Sequence, residues 1–364
     1  MSKLEELIKE LCPNGVEHRK LSEIVKMSRG VRVVRSQLTD DGRYPVFQNS
    51  MTPLGYYSEY NCPKDTVFLI SAGAAGEIGY SDTPFWAADD CWYFECGKNL
   101  NGRFLYYALA CKQEYIFSRV RKASVPRLSR NVIDMLQIPL PPLAVQREIV
   151  RILDKFTLYS QELAAELAAR KKQYEFYRDK LLAHDKVRKV ALKELCINHD
   201  SKRRPITKNR RTVGQYPYYG ASGIVDYVDD YLFDGQYLLI SEDGANLLAR
   251  STPIAFSISG KAWVNNHAHV LEFNNKATRR YVEIYLNSIN LQKYISTAAQ
   301  PKLTQENLNR IEIPLPPLEV QERIVKVLDN FDAICSDLGI GLPAEIEKRQ
   351  QQYEFYRDKL LTFG

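Results

Sequence analysis

Positively charged side chains gather in three short stretches of this chain. Six cations and no acid fall within residues 202–211, five cations and no acid within 119–130, and arginines recur at every third position from 29 to 35. Lys and Arg bind nucleic acids by displacing counterions from phosphates, so three such clusters favour phosphate contact over solvated loops, the alternative for any one cluster. The cations predicted to bind are Arg29, Arg32, Arg35, Arg119, Arg121, Lys122, Arg127, Lys202, Arg203, Arg204, Lys208, Arg210, Arg211 and Lys302.

Amides and hydroxyls on turn-like segments form a second set of candidate contacts. Such groups can hydrogen-bond with base edges in a DNA groove, although they are also ordinary loop residues. The net charge of +6 is compatible with a polyanionic partner. The predicted polar contacts are Gln48, Asn49, Ser50, Tyr219 and Ser222.

Catalytic motifs are missing from the sequence. It has no phosphate-binding P-loop, no Gly-x-Gly-x-x-Gly, no Gly-x-Ser-x-Gly, and no Asn/Asp-Pro-Pro-aromatic string of amino-methyltransferases. His267 and His269 offer two imidazoles, but the sequence indicates no third ligand, so we predict no metal site and a structural or DNA-facing pair. The seven scattered cysteines form no Cys-x-x-Cys pair and should be reduced thiols. A non-catalytic binding protein without a cofactor is the favoured interpretation.

An internal duplication determines which elements must position these residues. The string QYEFYRDKLL occurs at residues 173–182 and again at 352–361, and IPLPPL occurs at 138–143 and 313–318. Each copy consists of a divergent head followed by a nearly identical tail. Two unlike heads on matched tails predict two versions of one binding task.

The first tail predicts one long helix. Residues 143–182 contain neither Gly nor Pro, and an unbroken helix of that length would be roughly 60 Å long. Apolar residues recur with the heptad spacing of a coiled coil, which predicts pairing with the other tail, the alternative being that each tail packs on its own head. The residues predicted to pair the helices and dock partner subunits are Ile149, Leu153, Phe156, Leu163, Leu167, Tyr174, Tyr177, Leu181, Ile324, Leu328, Phe331, Tyr353, Tyr356 and Leu360.

The second tail should be interrupted. It is four residues longer than the first between the two repeated strings, and Gly339, Gly341 and Pro343 predict a helix break near residues 339–343. The first tail instead carries a tandem Glu-Leu-Ala-Ala at residues 162–169. The Pro-Pro pair before each tail predicts a rigid joint between head and helix.

The heads read as mixed sheets with flanking helices. We predict strands at residues 66–70, 91–95, 237–240 and 270–273, and helical stretches at 103–117 and 280–295. The predicted fold class is α+β, with two globular mixed α/β domains joined by two long antiparallel coiled-coil-like helices in a pseudo-twofold repeat. The predicted domains are a first head at 1–137, a central helical spacer at 138–184, a second head at 185–312 and a distal helical spacer at 313–364. No apolar run is long enough to span a membrane, so we expect a cytoplasmic protein.

The duplicated string IPLPPLxxQxxIVxxLDxF, at residues 138–156 and 313–331, resembles the specificity (S) subunits of type I restriction–modification systems. Residues 263–267 and 301–304 also resemble the target recognition domains of that family, whereas the first head matches more loosely at 86–89 and 126–129. The resemblance implies that each head reads one half of a bipartite, asymmetric site in double-stranded DNA. It implies that the helices set the spacing of the half-sites and dock two modification (methyltransferase) subunits.

The resemblance also implies a division of labour. Restriction (nuclease and translocase) subunits would join the complex, and S-adenosylmethionine, ATP and Mg²⁺ would be bound by partner subunits. The assembled complex would be a DNA adenine methyltransferase and an ATP-dependent type I deoxyribonuclease. Three alternatives stay open: a recognition subunit of a methyltransferase-only system, a coiled-coil scaffold that binds no DNA, and an enzyme with an unrecognised site.

Overall fold

Each of two structural units combines one head with parts of both tails. A computed structural model describes residues 2–39, 41–183, 187–244, 246–296 and 300–363. Unit 1 comprises Met1–Ala164 and Glu345–Gly364, and unit 2 comprises Ala165–Ala344. The division between the units falls near the middle of each tail, whereas the four segments predicted from the sequence separate each tail from its head. The predicted boundary between residues 184 and 185 lies outside the described residues.

Unit 1 contains the first head. Its helices are α1 (Lys3–Leu11), α2 (Leu21–Ile24), α3 (Gly102–Ala110), α4 (Gln113–Ser118) and α5 (Arg130–Asp134). Its strands are β1 (His18–Lys20), β2 (Val25–Arg29), β3 (Tyr44–Phe47), β4 (Gly55–Tyr57), β5 (Thr66–Ile70), β6 (Ile78–Ser81), β7 (Trp86–Ala87), β8 (Cys91–Cys96) and β9 (Gln137–Pro139). One sheet has the order β2-β8-β5-β6 and a second has the order β4-β3-β7. Strand β5 is buried along its whole length because sheet and helix cover its two faces.

A single helix follows the first head. Helix α6 spans Leu143–Leu182 without interruption, which confirms the predicted long helix. Its first half belongs to unit 1 and its second half to unit 2.

Unit 2 contains the second head. Its strands are β10 (Lys189–Ala191), β11 (Ile197–Asn198), β12 (Val213–Gly220), β13 (Gly223–Val228), β14 (Phe233–Ser241), β15 (Ala255–Val264), β16 (Ala268–Glu272) and β17 (Glu312–Pro314). Its short helices are α7 (Asn246–Ala249) and α9 (Gln305–Asn309), with α8 (Lys276–Ser288) between them. One six-stranded sheet has the order β11-β16-β14-β15-β12-β13, with β12 and β15 parallel. The equivalent parallel pair in the first head joins β3 to β7.

The second tail is broken, as the sequence predicted. Helix α10 (Leu318–Ser336) is followed by the C-cap residue Asp337. The side chain of Asp337 accepts a hydrogen bond from the backbone N–H of Gly339 at 2.6 Å. Gly341 must be glycine because a Cβ there would lie 2.6 Å from the carbonyl oxygen of Ala333. Helix α11 (Leu342–Thr362) then begins with Pro343 in its first turn, where a missing N–H costs little.

The repeated strings contact each other across the two copies. In unit 1 the ring of Phe156 on α6 stacks on Tyr356 of α11, with ring centroids 5.4 Å apart. In unit 2 Phe331 of α10 stacks on Tyr177 of α6 at 5.8 Å. In both units, therefore, the phenylalanine that ends the IPLPPL-containing string of one copy stacks on a tyrosine of the QYEFYRDKLL string of the other copy. Among the other residues predicted to pair the helices, Tyr353 and Leu360 pack on the unit 1 core, Tyr174 and Leu181 pack on the unit 2 core, Leu163 is buried and Leu167 is half-buried.

The first half of each tail also packs on its own head. We had predicted that the apolar stripe of each tail packs against the other tail, with packing on the head as the alternative. Ile149 and Leu153 are fully buried in the core that contains Phe104 and Tyr107 of α3. Ile324 and Leu328 occupy the same place in unit 2. The apolar faces of α3 and α8 need this cover, so one helix stripe serves both the head and the paired helix.

Two further predictions need correction. The helix predicted at 103–117 is two helices, α3 and α4, separated by a turn at residues 111–112 that no Gly or Pro announces. The helix predicted at 280–295 starts four residues earlier, because the side chain of Asn275 accepts the backbone N–H groups of Ala277 and Thr278. It ends at Ser288, before a separate 3₁₀ turn at Gln292–Tyr294. The predicted strands are all present, with β16 ending at Glu272 and not at residue 273.

All seven cysteines are free thiols, as expected. Burial raises the pKa of Cys62 to about 12 and that of Cys96 to about 11, so these thiols stay protonated at neutral pH. No helix in the described part of the chain is both long enough and apolar enough to cross a bilayer.

Candidate nucleic-acid interface

In unit 1 several loops meet at the end of strand β5. The backbone N–H of Ser71 donates to the carbonyl of Asp90 at 2.7 Å, and the N–H of Leu128 donates to the carbonyl of Ser71 at 2.9 Å. Ala72 forms a β-bridge with Arg127. The N–H of Ala74 donates to the carbonyl of Asn49 at 2.9 Å. These bonds bring together loops that lie far apart in sequence.

Most of the residues predicted to contact DNA in the first head lie on these loops. Arg29 Nε donates to the carbonyl of Asp89 at 2.7 Å, and Gln48 Nε2 lies 3.4 Å from the carboxylate of the same residue. Arg121 and Arg127 are joined by a pair of backbone hydrogen bonds at 2.8 and 3.2 Å, which places two exposed guanidinium groups and the exposed Lys122 in one loop. Asn49 is exposed beside them.

Four predicted residues of the first head are less tightly placed. Arg32 and Arg35 are exposed on a segment whose start is held by Trp86, since the indole N–H donates to the carbonyl of Val31 at 2.8 Å. Arg119 is exposed and lies over the ring of Tyr115 at 4.9 Å. Ser50 is half-buried and donates to the carbonyl of Thr52, so its hydroxyl is engaged in the turn.

The second head repeats this backbone arrangement with different side chains. The N–H of Glu242 donates to the carbonyl of His267 at 2.9 Å, and the N–H of Leu303 donates to the carbonyl of Glu242 at 2.7 Å. Asp243 forms a β-bridge with Lys302, as Ala72 does with Arg127. Asp90 and His267 therefore occupy equivalent positions, as do Arg127 and Lys302.

The hairpin loop and the tryptophan are repeated as well. The N–H of Asn265 donates to the carbonyl of Tyr219 at 3.0 Å, and in the first head the N–H of Ala88 donates to that of Phe47 at 2.8 Å. This equivalence aligns Ser222 with Ser50, and Ser222 is exposed at the tip of the β12–β13 hairpin. The indole of Trp263 donates to the carbonyl of Arg204 at 2.6 Å, the counterpart of the bond from Trp86.

The basic cluster of the second head divides into exposed and paired members. Arg211 stacks over Tyr218 at 4.4 Å and forms an ion pair with Asp226 at 3.1 Å. Arg203 is 12% exposed and pairs with both Glu242 at 2.6 Å and Asp200 at 3.2 Å. These contacts hold the two guanidinium groups within the head, whereas the exposed cations of the cluster are Lys202, Arg204, Lys208 and Arg210. Lys302, outside the cluster, is exposed and also paired with Glu242.

Arg203 belongs to a charged cluster that we had not predicted. Lys302 Nζ lies 3.0 Å from Glu242, and His269 Nδ1 lies 2.5 Å from Asp200. Burial alone would raise the pKa of the Asp200 and Glu242 carboxyls. The hydrogen bond from His269 lowers the pKa of Asp200, and those from Arg203 and Lys302 lower the pKa of Glu242, so both carboxyls have a net pKa below the usual range. Both groups are therefore ionised at neutral pH.

The same cluster has ligand types that could suit a metal ion, since Asp200, Glu242 and His269 place an oxygen or nitrogen within 4.8 Å of one another. The hydrogen bonding argues against that use. Both ring nitrogens of His269 face acceptors, Nδ1 the Asp200 carboxylate and Nε2 the carbonyl of Leu303 at 2.8 Å, so both are placed to donate. With both N–H groups donating, neither ring nitrogen of His269 has a lone pair left to bind a metal ion. Arg203 already neutralises the carboxylates. The cluster is a structural clamp for the loops of the second head.

The repeated tail string also holds structural residues that we had not singled out. Gln146 Nε2 donates to the carbonyls of Pro141 and Asn99, and its Oε1 accepts the N–H of Asn101 at 2.8 Å. Gln321 Nε2 donates in the same way to Pro316 at 2.7 Å. These buried amides fasten the start of each tail helix to its Pro-Pro joint.

The aspartates of the string anchor the heads. Asp154 accepts Arg103 of α3 at 2.9 Å, and Asp329 accepts Arg280 of α8 at 2.8 Å. The two arginines stand at different positions in their helices and still reach equivalent carboxylates. The recurrence of Gln and Asp in both copies was the sequence signal for these contacts.

Comparison with known proteins agrees with this architecture. A model of the type I restriction modification DNA specificity domain matches residues 13–170 and 184–348. The specificity subunit of the type I restriction enzyme EcoR124I/EcoR124II of Escherichia coli is 34% identical over 259 residues, which are 62% of this chain and 63% of that protein. A Mycoplasma pneumoniae protein named as a type I specificity subunit is 26% identical over 363 residues, 94% of this chain and 97% of its own.

Solved structures share the fold. The S subunit of a type I restriction–modification system from M. genitalium superposes with a TM-score of 0.65 at 18% identity, covering 96% of this chain and 97% of that one. A chain from a structural study of type I complex assembly gives a TM-score of 0.63 at 17% identity, covering 96% and 98%. With two matched domains across most of its length, the chain belongs to the type I restriction modification DNA specificity domain family, and it is a non-catalytic specificity subunit.

Proposed function

We propose that each head reads one half of a bipartite, asymmetric site in double-stranded DNA. The observation that carries this proposal is the pair of equivalent loop clusters at the ends of β5 and β14. Their backbone bonds are the same, but their exposed side chains differ. A shared frame with unlike side chains is suited to one recognition task with two targets.

The exposed cations of both clusters would bind the phosphates, which should make binding steeply dependent on salt. The test is binding of duplexes by the chain together with its modification subunits, at 50 and 200 mM salt. We expect tight binding of one bipartite duplex and at least a hundred-fold weakening at the higher salt. Binding that ignores salt and sequence would favour a scaffold that does not read DNA.

The tails would set the half-site spacing and dock two modification subunits. The string QYEFYRDKLL presents Phe176 and Phe355 to solvent, and each residue is 62% exposed. Each ring has a lysine at 6.0 Å, Lys180 and Lys359. Each ring also packs edge-on against the next tyrosine, Tyr177 or Tyr356, at 5.4 Å. Their identical display is what two copies of one partner would need.

Removing one of these rings should halve the number of docked partners. We expect Phe176→Ala or Phe355→Ala to bind one modification subunit in place of two, and the double variant to bind none, by native mass spectrometry. Leu158→Ala is the matched control, because Leu158 is 55% exposed on α6 but is replaced by Ala333 in the other copy. Two subunits on the double variant would show that these rings are not the docking anchors.

Restriction subunits would complete a type I complex, with S-adenosylmethionine, ATP and Mg²⁺ bound by the partner subunits. A methyltransferase-only system is the second candidate, and the two differ in one assay. The complex with all subunits cleaves unmodified DNA in the type I case and only methylates it in the other.

A further inference from the structure

We propose that the equivalent residues Asp90 and His267 read base edges and give the two heads different sequence preferences. This inference rests on the proposed DNA recognition and names the residues that distinguish the half-sites. It starts from the backbone bonds shared by the two heads. The carbonyl of Asp90 accepts the N–H of Ser71, and the carbonyl of His267 accepts the N–H of Glu242.

In each head, backbone hydrogen bonds link residue 90 or 267 to a loop that carries an exposed cation. One strand-end residue links Asp90 to the loop of Arg127, since Ser71 bonds to both Asp90 and Leu128. Glu242 links His267 to the loop of Lys302 in the same manner. Arg127 and Lys302 are both exposed and both basic, and the Lys302 ammonium, which pairs with Glu242 at 3.0 Å, has further N–H groups, so both residues suit a sequence-independent phosphate contact. The equivalent positions 90 and 267 carry a carboxylate in the first head and an imidazole in the second. This difference suits a sequence-dependent contact.

Each side chain has hydrogen-bonding capacity to spare. Within the described residues the Asp90 carboxylate accepts no side-chain or backbone hydrogen bond, and the residue is only half-buried. The imidazole of His267 is 46% exposed, and its Nδ1 lies 2.8 Å from the Asp243 carboxylate, which is 11% exposed. Asp243 therefore orients the ring and leaves Nε2 directed away from it. Ala72 replaces Asp243 in the first head, where there is no imidazole to orient.

The chemistry of the two groups predicts different partners. An ionised carboxylate only accepts hydrogen bonds, so Asp90 should select a base that offers an exocyclic amine in the major groove, cytosine or adenine. His267 presents one ring nitrogen, Nε2, in place of the two carboxylate oxygens of Asp90. It should therefore select a different base at the corresponding position of the other half-site. Asp243 acts as a positioning residue for His267.

The test is selection from duplex libraries randomised in one half-site at a time, using the chain with its modification subunits. We expect Asp90→Asn to weaken the preferred base by roughly ten-fold at one position of one half-site. His267→Gln should do the same at one position of the other half-site only. Asp243→Asn should act like His267→Gln and leave the first half-site unchanged.

Two controls separate base reading from folding. Asp82→Asn alters an exposed acid beyond Ser81, at the opposite end of the first head's sheet, where Ser81 pairs with Thr66. His199→Gln alters a second carboxylate-paired histidine at the far end of β16, where His199 lies 2.6 Å from Glu272. Both control variants should leave the base preferences unchanged. In every variant, the salt dependence of nonspecific binding should also stay the same as in the wild type.

The outcomes distinguish this inference from the proposed function. A wild-type complex that selects no bipartite site refutes DNA recognition itself. A wild-type complex that selects a site, with Asp90→Asn and His267→Gln leaving every base preference intact, refutes the assignment of these residues. Uniform weakening at all positions would make them phosphate-face or folding residues and would also overturn the assignment.

Discussion

Replacing Arg203 with alanine should destabilise the second head through the charges it leaves unpaired. Arg203 is 12% exposed and bridges Glu242 at 2.6 Å and Asp200 at 3.2 Å, whose side chains are 12% and 7% exposed. Removing one partner from a buried ion pair typically costs about 3–5 kcal/mol. Because His269 and Lys302 still contact the carboxylates, we expect the lower end of that range, about 3 kcal/mol.

The loss should depend on pH with a definite sign. The folded state lowers the pKa of Asp200 and Glu242, so their contribution to stability is present above the ordinary carboxyl pKa of about 4 and is lost as pH falls below it. The difference between wild type and Arg203→Ala should therefore be full at pH 7. It should shrink as pH falls below about 4 and the carboxyls of the folded protein become protonated.

Hydrogen–deuterium exchange followed by mass spectrometry can locate the effect. Peptides covering β14 and β16 should exchange roughly 100-fold faster at pH 7, which corresponds to about 3 kcal/mol, while the peptides covering β5 and β8 in unit 1 serve as an internal control. Arg204→Ala is the matched variant, because Arg204 is exposed and its described hydrogen bonds are made by its backbone, to Val264 and Trp263. Equal exchange in both variants, or an acceleration that persists undiminished at low pH, would refute the reasoning.

Three further predictions concern the interface, the spacer and the joints. Arg204→Ala should weaken binding of all duplexes alike and reduce the magnitude of the log–log salt slope by about one, as measured by titration at several salt concentrations; loss at a single base position would contradict a phosphate contact. Deleting residues 162–165 shortens α6 by about 6 Å, one helical turn, and should change the preferred spacer by one to two base pairs; methylome sequencing that shows altered half-sites would refute this. Gln146→Ala should lower the free energy of unfolding by about 1–3 kcal/mol and more than Gln321→Ala, since Gln146 makes three hydrogen bonds and Gln321 Oε1 is buried without a described partner; equal losses in urea titrations would contradict this.

The tails could be predicted from the sequence because their signals are local. The absence of Gly and Pro over residues 143–182 predicts α6, and Gly339, Gly341 and Pro343 predict the break before α11. The partner of each stripe was harder to predict, because periodicity shows that a helix face is buried but not what buries it. Ile149 and Leu153 lie on the head, whereas Phe156, one turn later, lies on α11.

The binding loops were predictable as a set and not one residue at a time. Charge density selected Arg127, Lys302 and Arg204, which are exposed in the structure, but it also selected Arg203, which is paired within the head. The acids that pair with Arg203 lie at positions 200 and 242, and only the approach of β14 to the segment after β11 brings them together. Local sequence patterns carry no information about such long-range pairs.

A variant chain with two copies of the second head tests the central claim most directly. Residues 192–311, which lie between β10 and β17, would replace residues 21–136, which lie between β1 and β9. The complete system would be expressed for long-read methylome sequencing. If each head reads one half-site independently, the methylated site becomes a symmetric one whose halves both match the second half-site of the wild type. An unchanged asymmetric site, or a site unrelated to either wild-type half, would contradict the account.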